Sequence, residues 1–166
     1  MIGNDVVDLV LAKEESNWKR DGFLDKIFTK REQLMVLSDP FPENKVWDLW
    51  TRKEAAYKIY NRQTGIRAYI PLQLECFDLE ITDGNHYGKV VCSDFVYYTK
   101  TEISAEFIHT IAVTNSTDFN AIQYLENTTD IQKTNGIPNW HNPENLVIKP
   151  VSVSHHGRFT KRIRFI

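Results

Sequence analysis

Apolar positions change their period partway along the chain. After a short opening strand over residues 2–7 (IGNDVV), they recur at helical spacing as far as Gly65, and from Ile70 onward they fall into short alternating runs. The first part predicts helices over Asp8 to Trp18 and over Gly22–Ile27. Thr29-Lys30-Arg31-Glu32 has the Ser/Thr-x-x-Glu form of a capping box and opens a third helix through Leu37. Pro40 and Pro42 then break the chain, and Asn44 caps a long helix from Lys45 to Arg62 that stops before Gly65. In the second part Leu72–Ile81 and Tyr87–Cys92 flank the hairpin signal Asp83-Gly84. Phe95–Lys100, Ala105–Thr114, Ala121–Leu125, Leu146–Ser154 and Phe159–Ile166 continue the strands. The polar stretch 126–145 between them reads as a loop insertion. Helices packed on an antiparallel sheet define an α+β fold, expected here as one domain over residues 1–166.

Composition narrows the class. At 166 residues and 42% hydrophobic, the chain can bury a core without staples. A net charge of -2 gives no argument for a nucleic-acid partner, so any anion site must be a local basic cluster. No apolar stretch reaches membrane-spanning length, and the N-terminus lacks the basic-then-apolar pattern of a secretory signal. Cys76 and Cys92 have no CxxC spacing and read as core thiols of a cytoplasmic protein.

Three segments carry candidate chemistry. On the long helix, Val46, Trp47, Leu49, Trp50, Ala56, Tyr57 and Tyr60 form one apolar arc, with Asp48, Thr51, Arg52 and Ala55 on the other side. Lys53 and Glu54 fall inside the apolar arc, with Lys58 at its edge. A buried charge there must be paired or bound to a metal. A simple Glu54–Lys58 helix pair is the bland alternative. A partly buried glutamate suits a hard cation or proton transfer, and the lysines suit phosphate oxygens. Asp5 interrupts a strand, where aspartate is depleted, and points to the opposite face from Asp8. Near the C-terminus, VSVSHHGR places small hydroxyls, imidazoles, a glycine and a guanidinium together. That composition fits either a phosphate pocket or a charged edge turn.

Together these segments resemble the 4'-phosphopantetheinyl transferase superfamily. Ile2-Gly3-Asn4-Asp5-Val6-Val7 looks like the family's opening Gly-x-Asp strand. Ile27-Phe28-Thr29-Lys30-Arg31-Glu32 looks like its middle segment, and Trp50-Thr51-Arg52-Lys53-Glu54-Ala55-Ala56-Tyr57-Lys58 matches its Trp-x-x-Lys-Glu-Ala-x-x-Lys hallmark without gaps. The SVSHHGR segment looks like the family's late Val-Ser-Ile-Ser-His run. Val7 stands where the larger subtype carries a second acid, which places the chain nearer the short holo-acyl-carrier-protein synthase type.

The resemblance implies an enzyme that moves the phosphopantetheine arm of coenzyme A to a serine of an apo carrier protein, releasing 3',5'-ADP with the help of Mg²⁺. It implies Asp5 and Glu54 as metal ligands and Glu54 and Lys58 as catalytic. Lys53, Lys58, Ser154 and His155 become coenzyme A contacts, with His109 in the late strand as a rival to His155. It also implies an acidic acyl or peptidyl carrier as partner and a homo-oligomer, with a trimer favoured. Arg52 on the exposed helix face, Lys30 and Arg31, and the basic C-terminal strand are candidate guides for the carrier. The alternative reading is a non-catalytic coenzyme A or nucleotide-binding module on the same scaffold.

Overall fold

Two five-stranded antiparallel sheets and one long helix organise the chain in the computed structural model, which describes residues 1–68, 70–126, 130–142 and 147–166. Strand β1 (Ile2–Asp8) leads into helices α1 (Leu9–Glu15), α2 (Phe23–Ile27), α3 (Lys30–Ser38) and α4 (Pro42–Thr64). Strands β2 (Glu75–Thr82), β3 (Asn85–Cys92), β4 (Phe95–Ile103) and β5 (Phe107–Val113) follow as a meander, giving the first sheet the order β1-β5-β4-β3-β2. The second sheet, ordered β6-β10-β9-β8-β7, comprises β6 (Ile122–Tyr124), β7 (Ile131–Thr134), β8 (Ile137–His141), β9 (Ile148–His156) and β10 (Phe159–Phe165). The expected α+β class is what the structure shows.

Local chemistry explains the boundaries. Asp8 caps α1 by accepting from Val10 N at 3.0 Å. Thr29 and Glu32 form the expected reciprocal capping box of α3. The long helix starts earlier than expected, at Pro42 rather than after Asn44. Proline lacks an N–H that the first helical turn would leave unpaired in any case, so Pro42 opens the helix instead of breaking the chain.

The 126–145 stretch is not the loop expected from its polarity. Its described part holds the hairpin β7–β8, with Thr134 paired to Ile137. Asn135 and Gly136 have φ of 51° and 78°, the two left-handed residues a tight hairpin turn requires, as at Asp83-Gly84. Residues 127–129 and 143–145 lie outside the described residues, as does Leu146 of the expected closing strand.

Helix α4 lies against the first sheet and is enclosed on nearly all sides. Gly3 permits this: a Cβ there would sit 2.1 Å from the carbonyl oxygen of Ala55. The side of α4 expected to be exposed is in fact buried. Asp48, Thr51, Arg52 and Ala55 are all inaccessible, whereas Trp50 and Tyr57 on the apolar arc are only partly covered. Thr51 Oγ1 meets Thr110 Oγ1 at 2.7 Å, and Arg52 pairs with Asp48 at 2.8 Å and Asp78 at 2.6 Å. The guanidinium is tolerated in the interior because two carboxylates neutralise it. Arg52 is therefore no surface guide for a partner. Arg31 is engaged by Glu75 at 3.1 Å and by Cys76 O, and Lys30 pairs with Asp25 at the surface. Cys76 and Cys92 are free and buried, as expected.

One seam joins the sheets. Strand β1 pairs with β5 along one edge, and its other edge faces β9. Among the described residues no backbone ladder connects β1 to β9. Instead, alternate β9 side chains accept from β1 N–H groups: Ser152 Oγ from Asn4 at 2.8 Å, Ser154 Oγ from Val6 at 3.0 Å, and His156 Nδ1 from Asp8 at 2.9 Å. The period of two along a strand puts these three side chains in one row. The seam is locked at its end by Arg158, whose guanidinium donates to both carboxylate oxygens of Asp8, at 2.8 and 2.9 Å. These bonds hold the Asp8 carboxyl well below the usual carboxylate range.

Candidate active site

Strand β1 and helix α4 bring Asp5 and Glu54 to one groove. Asp5, Glu54, Trp47, Trp50, His155 and His156 are among the residues lining this cavity of about 410 Å³. Glu54 is pushed up to about 7, first by burial and second by the neighbouring Asp5 charge, with Lys58 acting in the opposite sense. Asp5 is therefore close enough to raise the proton affinity of Glu54. Trp47 also lines the groove, and its buried indole N–H has no acceptor among the described residues.

Asp5 is held on one oxygen. Its Oδ1 accepts from Ser154 Oγ at 2.8 Å and from Lys58 Nζ at 3.2 Å, while no partner for Oδ2 occurs among the described residues. Because Ser154 already accepts from Val6 N, its single hydroxyl proton is directed at Asp5. Ser154 is thus a positioning residue for Asp5, and it is nearly inaccessible. Lys58 directs its ammonium at Asn4 O at 2.6 Å, at Asp5, and at Val153 O at 3.4 Å, bracing α4 against both strands of the seam.

The two histidine candidates separate cleanly. His155, one position out of the Ser152–Ser154–His156 row, is exposed and lines the acid groove and a second cavity beyond Lys58. His109 is buried with Nε2 at 3.2 Å from Asn4 Nδ2. Burial, then the charges of Lys161 and Lys58, push it down to about 3, so it stays neutral. Lys53 is placed elsewhere. Its ammonium is 2% exposed and donates, each at 2.7 Å, to Glu32 Oε2, Pro71 O and Leu74 O. Glu32 in turn accepts from Cys76 N and Thr29 N, both at 2.8 Å. The lysine expected to assist at phosphates is an internal tie between α3, α4 and the start of β2.

The donor set at Asp5 and Glu54 fits a small divalent cation of the Mg²⁺ type. Such an ion takes one or two protein carboxylates and completes its shell with water and substrate phosphates. Among the described residues no cluster of three or more metal-ligating side chains occurs. Sequence reasoning missed the roles of Ser152 and of the Val153 carbonyl. The alternation Ser-x-Ser-x-His was the available signal, since small acceptors at period two suit a strand edge that lacks a ladder.

A match to the model of the 4'-phosphopantetheinyl transferase superfamily spans residues 1–124, three quarters of the chain, and covers Asp5, Glu54 and Lys58. The chain belongs to that superfamily and is a transferase of that kind. Among solved structures, the holo-[acyl-carrier-protein] synthase of Thermotoga maritima is similar at 15% identity over 78% of each chain, with a TM-score of 0.45. No curated protein matches the sequence. No helix among the described residues is long and apolar enough to cross a membrane.

Proposed function

We propose that the protein transfers the 4'-phosphopantetheine arm of coenzyme A to a serine of an apo carrier protein and releases 3',5'-ADP. The observation that carries this is that Asp5 and Glu54 line one groove while Lys58 pairs with Asp5 at 3.2 Å, all three inside the family match. Asp5 Oδ2 and Glu54 would hold Mg²⁺, which neutralises the charge of the coenzyme A pyrophosphate when bound. Lys58 contributes a fixed positive charge beside the phosphates. The longest of its contacts, to Val153 O, is the one a phosphate oxygen replaces most easily. His155, exposed at the rim, faces the same oxygens.

The reaction needs little covalent chemistry from the protein. The carrier serine oxygen forms a bond to the β-phosphorus, the bond from that phosphorus to the bridging oxygen breaks, and 3',5'-ADP leaves with that oxygen. Glu54, on the wall of the groove beside Asp5, accepts the serine proton. Asp5 is unsuited to that task, since Ser154 and Lys58 hold it in one orientation. The partner is an acidic carrier protein in the cytoplasm, and a homotrimer is the assembly to test by light scattering. Asp5, Glu54, Lys58 and His155 already meet within one chain.

The test is to incubate the protein with coenzyme A, Mg²⁺ and several apo carriers and to weigh the carriers by mass spectrometry. A gain of one phosphopantetheine, reduced at least about hundredfold in Asp5→Asn and Glu54→Gln, supports the enzyme. Coenzyme A binding with no mass gain on any carrier supports the non-catalytic module instead.

A further inference from the structure

Away from the acid groove, a cavity of about 300 Å³ lies between the two sheets. Its floor is the face of the first sheet turned from α4. Thr110 meets Thr51 of the helix, so its neighbour His109 points the other way, into the cavity. Lys100 and Glu102, alternate residues of β4, stand on that same face, with Glu102 directly opposite His109 in the β4–β5 register. Phe119, Ile122 and Tyr124 close the cavity from the side of β6. His109 is 1% exposed, and its contact with Asn4 fixes its tautomer. The Asn4 amide nitrogen donates one proton to Lys161 O, which can only accept, so its other proton goes to His109 Nε2, both at 3.2 Å. The neutral ring therefore carries its own proton on Nδ1, and no acceptor for Nδ1 occurs among the described residues. Lys100 lies over the Tyr87 ring at 5.8 Å. Neither Lys100 nor Glu102 has an ion-pair partner among the described residues, and they do not pair with each other.

We propose that this cavity binds an amino acid with an apolar side chain, its carboxylate on His109 Nδ1–H and Lys100 and its ammonium on Glu102. A buried donor left without an acceptor is costly, and a ligand oxygen removes that cost. An unpaired cation and an unpaired anion in one cavity complement a zwitterion. A plain acid or a plain amine leaves one of the two charges uncompensated. Alternate residues on a strand stand roughly 7 Å apart, the reach of an adjacent carboxylate and ammonium with one hydrogen bond on either side. The cavity has the size of a small-ligand site, and Phe119 and Ile122 offer an apolar wall for the side chain. It shares no lining residue with the acid groove, so this site stands independently of the transferase reading.

The test is titration of the full chain, without coenzyme A or Mg²⁺, with phenylalanine, hydrocinnamate and phenethylamine, which share a side chain and differ in head group. Binding is followed by calorimetry and by the imidazole nitrogen resonances of His109. Phenylalanine should bind saturably, at least about tenfold more tightly than either of the others, and should move the Nδ1 resonance. Glu102→Gln, at an exposed position, should bring the ratio of phenylalanine to hydrocinnamate affinity near one. Lys100→Met should weaken phenylalanine and hydrocinnamate at least about tenfold and leave phenethylamine no weaker. No saturable binding of phenylalanine up to millimolar concentration, equal binding of all three ligands, or a preference preserved in Glu102→Gln overturns the proposal. So does a His109 ring that carries its proton on Nε2 in the free protein.

Discussion

Replacing Glu54 by glutamine should stabilise the cation-free protein, and only at neutral to alkaline pH. In the fold the carboxyl titrates at about 7, against 4.5 for an ordinary glutamate, because burial and the Asp5 charge both disfavour its anion. The native state therefore binds a proton more tightly than the unfolded chain. Stability is highest below the unfolded value, falls as pH rises from 4.5 toward 7, and carries the full penalty above that. At about 1.4 kcal/mol per tenfold change in proton affinity, the penalty is roughly 3 kcal/mol, and partial solvent access reduces it to about 1–3 kcal/mol. Glutamine keeps the shape of the protonated acid and removes the titration. For a chain of this size the gain corresponds to a Tm rise of about 3–10 °C near pH 8, shrinking to about zero near pH 4. Thermal melts of wild type and Glu54→Gln across pH, followed by circular dichroism with chelator present, measure it. Millimolar Mg²⁺ with coenzyme A should close the gap by stabilising the wild type alone. An equal Tm difference near pH 4 and pH 8, or no rise near pH 8, would refute the assignment of Glu54 as a strained site acid.

Ser154→Ala should lower stability by about 1–2 kcal/mol in urea titration, since it leaves Val6 N–H unpaired. It should also raise the Mg²⁺ concentration needed for half-maximal coenzyme A binding, because Asp5 loses its orienting donor. Gly3→Ala should cost about 3 kcal/mol or more in the same assay, as the added methyl meets the Ala55 carbonyl. Lys53→Met should cost about 3–5 kcal/mol by stranding Glu32, while coenzyme A affinity of the folded fraction stays unchanged. Asp8→Asn should flatten the acid limb of stability. The Asp8 carboxyl titrates below its ordinary value, so its contribution is present above the unfolded value and lost as pH falls through the folded one.

Much of the site was legible because its chemistry conflicts with its neighbourhood. An acid inside a strand and an acid on an apolar helix arc both stand out from any pattern, and Asp5 and Glu54 do line one groove. What misled was the assumption that a helix has one buried side. Helix α4 is enclosed, so Asp48 and Arg52, polar by composition, form an internal pair that a helical wheel assigns to water. Lys53 inside the arc and Lys58 at its edge both read as partners for phosphate oxygens. Only the third dimension separates them, since Glu32, distant in sequence, claims the first and Asp5 meets the second. The β7–β8 hairpin was hidden by its polar residues, although Asn135-Gly136 carried the same turn signal as Asp83-Gly84. The β1–β9 seam depends on side chains replacing a backbone ladder across more than a hundred residues of chain, a pairing that no local pattern encodes.

We propose that the carboxylates of Asp5 and Glu54, which line one groove, jointly hold one divalent cation. Titration of the protein with Mn²⁺ in the presence of coenzyme A, followed by electron paramagnetic resonance, tests it directly. Wild type should bind a single ion per chain at the coenzyme A phosphates. Asp5→Asn and Glu54→Gln should each weaken binding at least about tenfold, and the double variant should be little worse than either single one. Unchanged binding in the double variant would show that the ion is held without these two carboxylates.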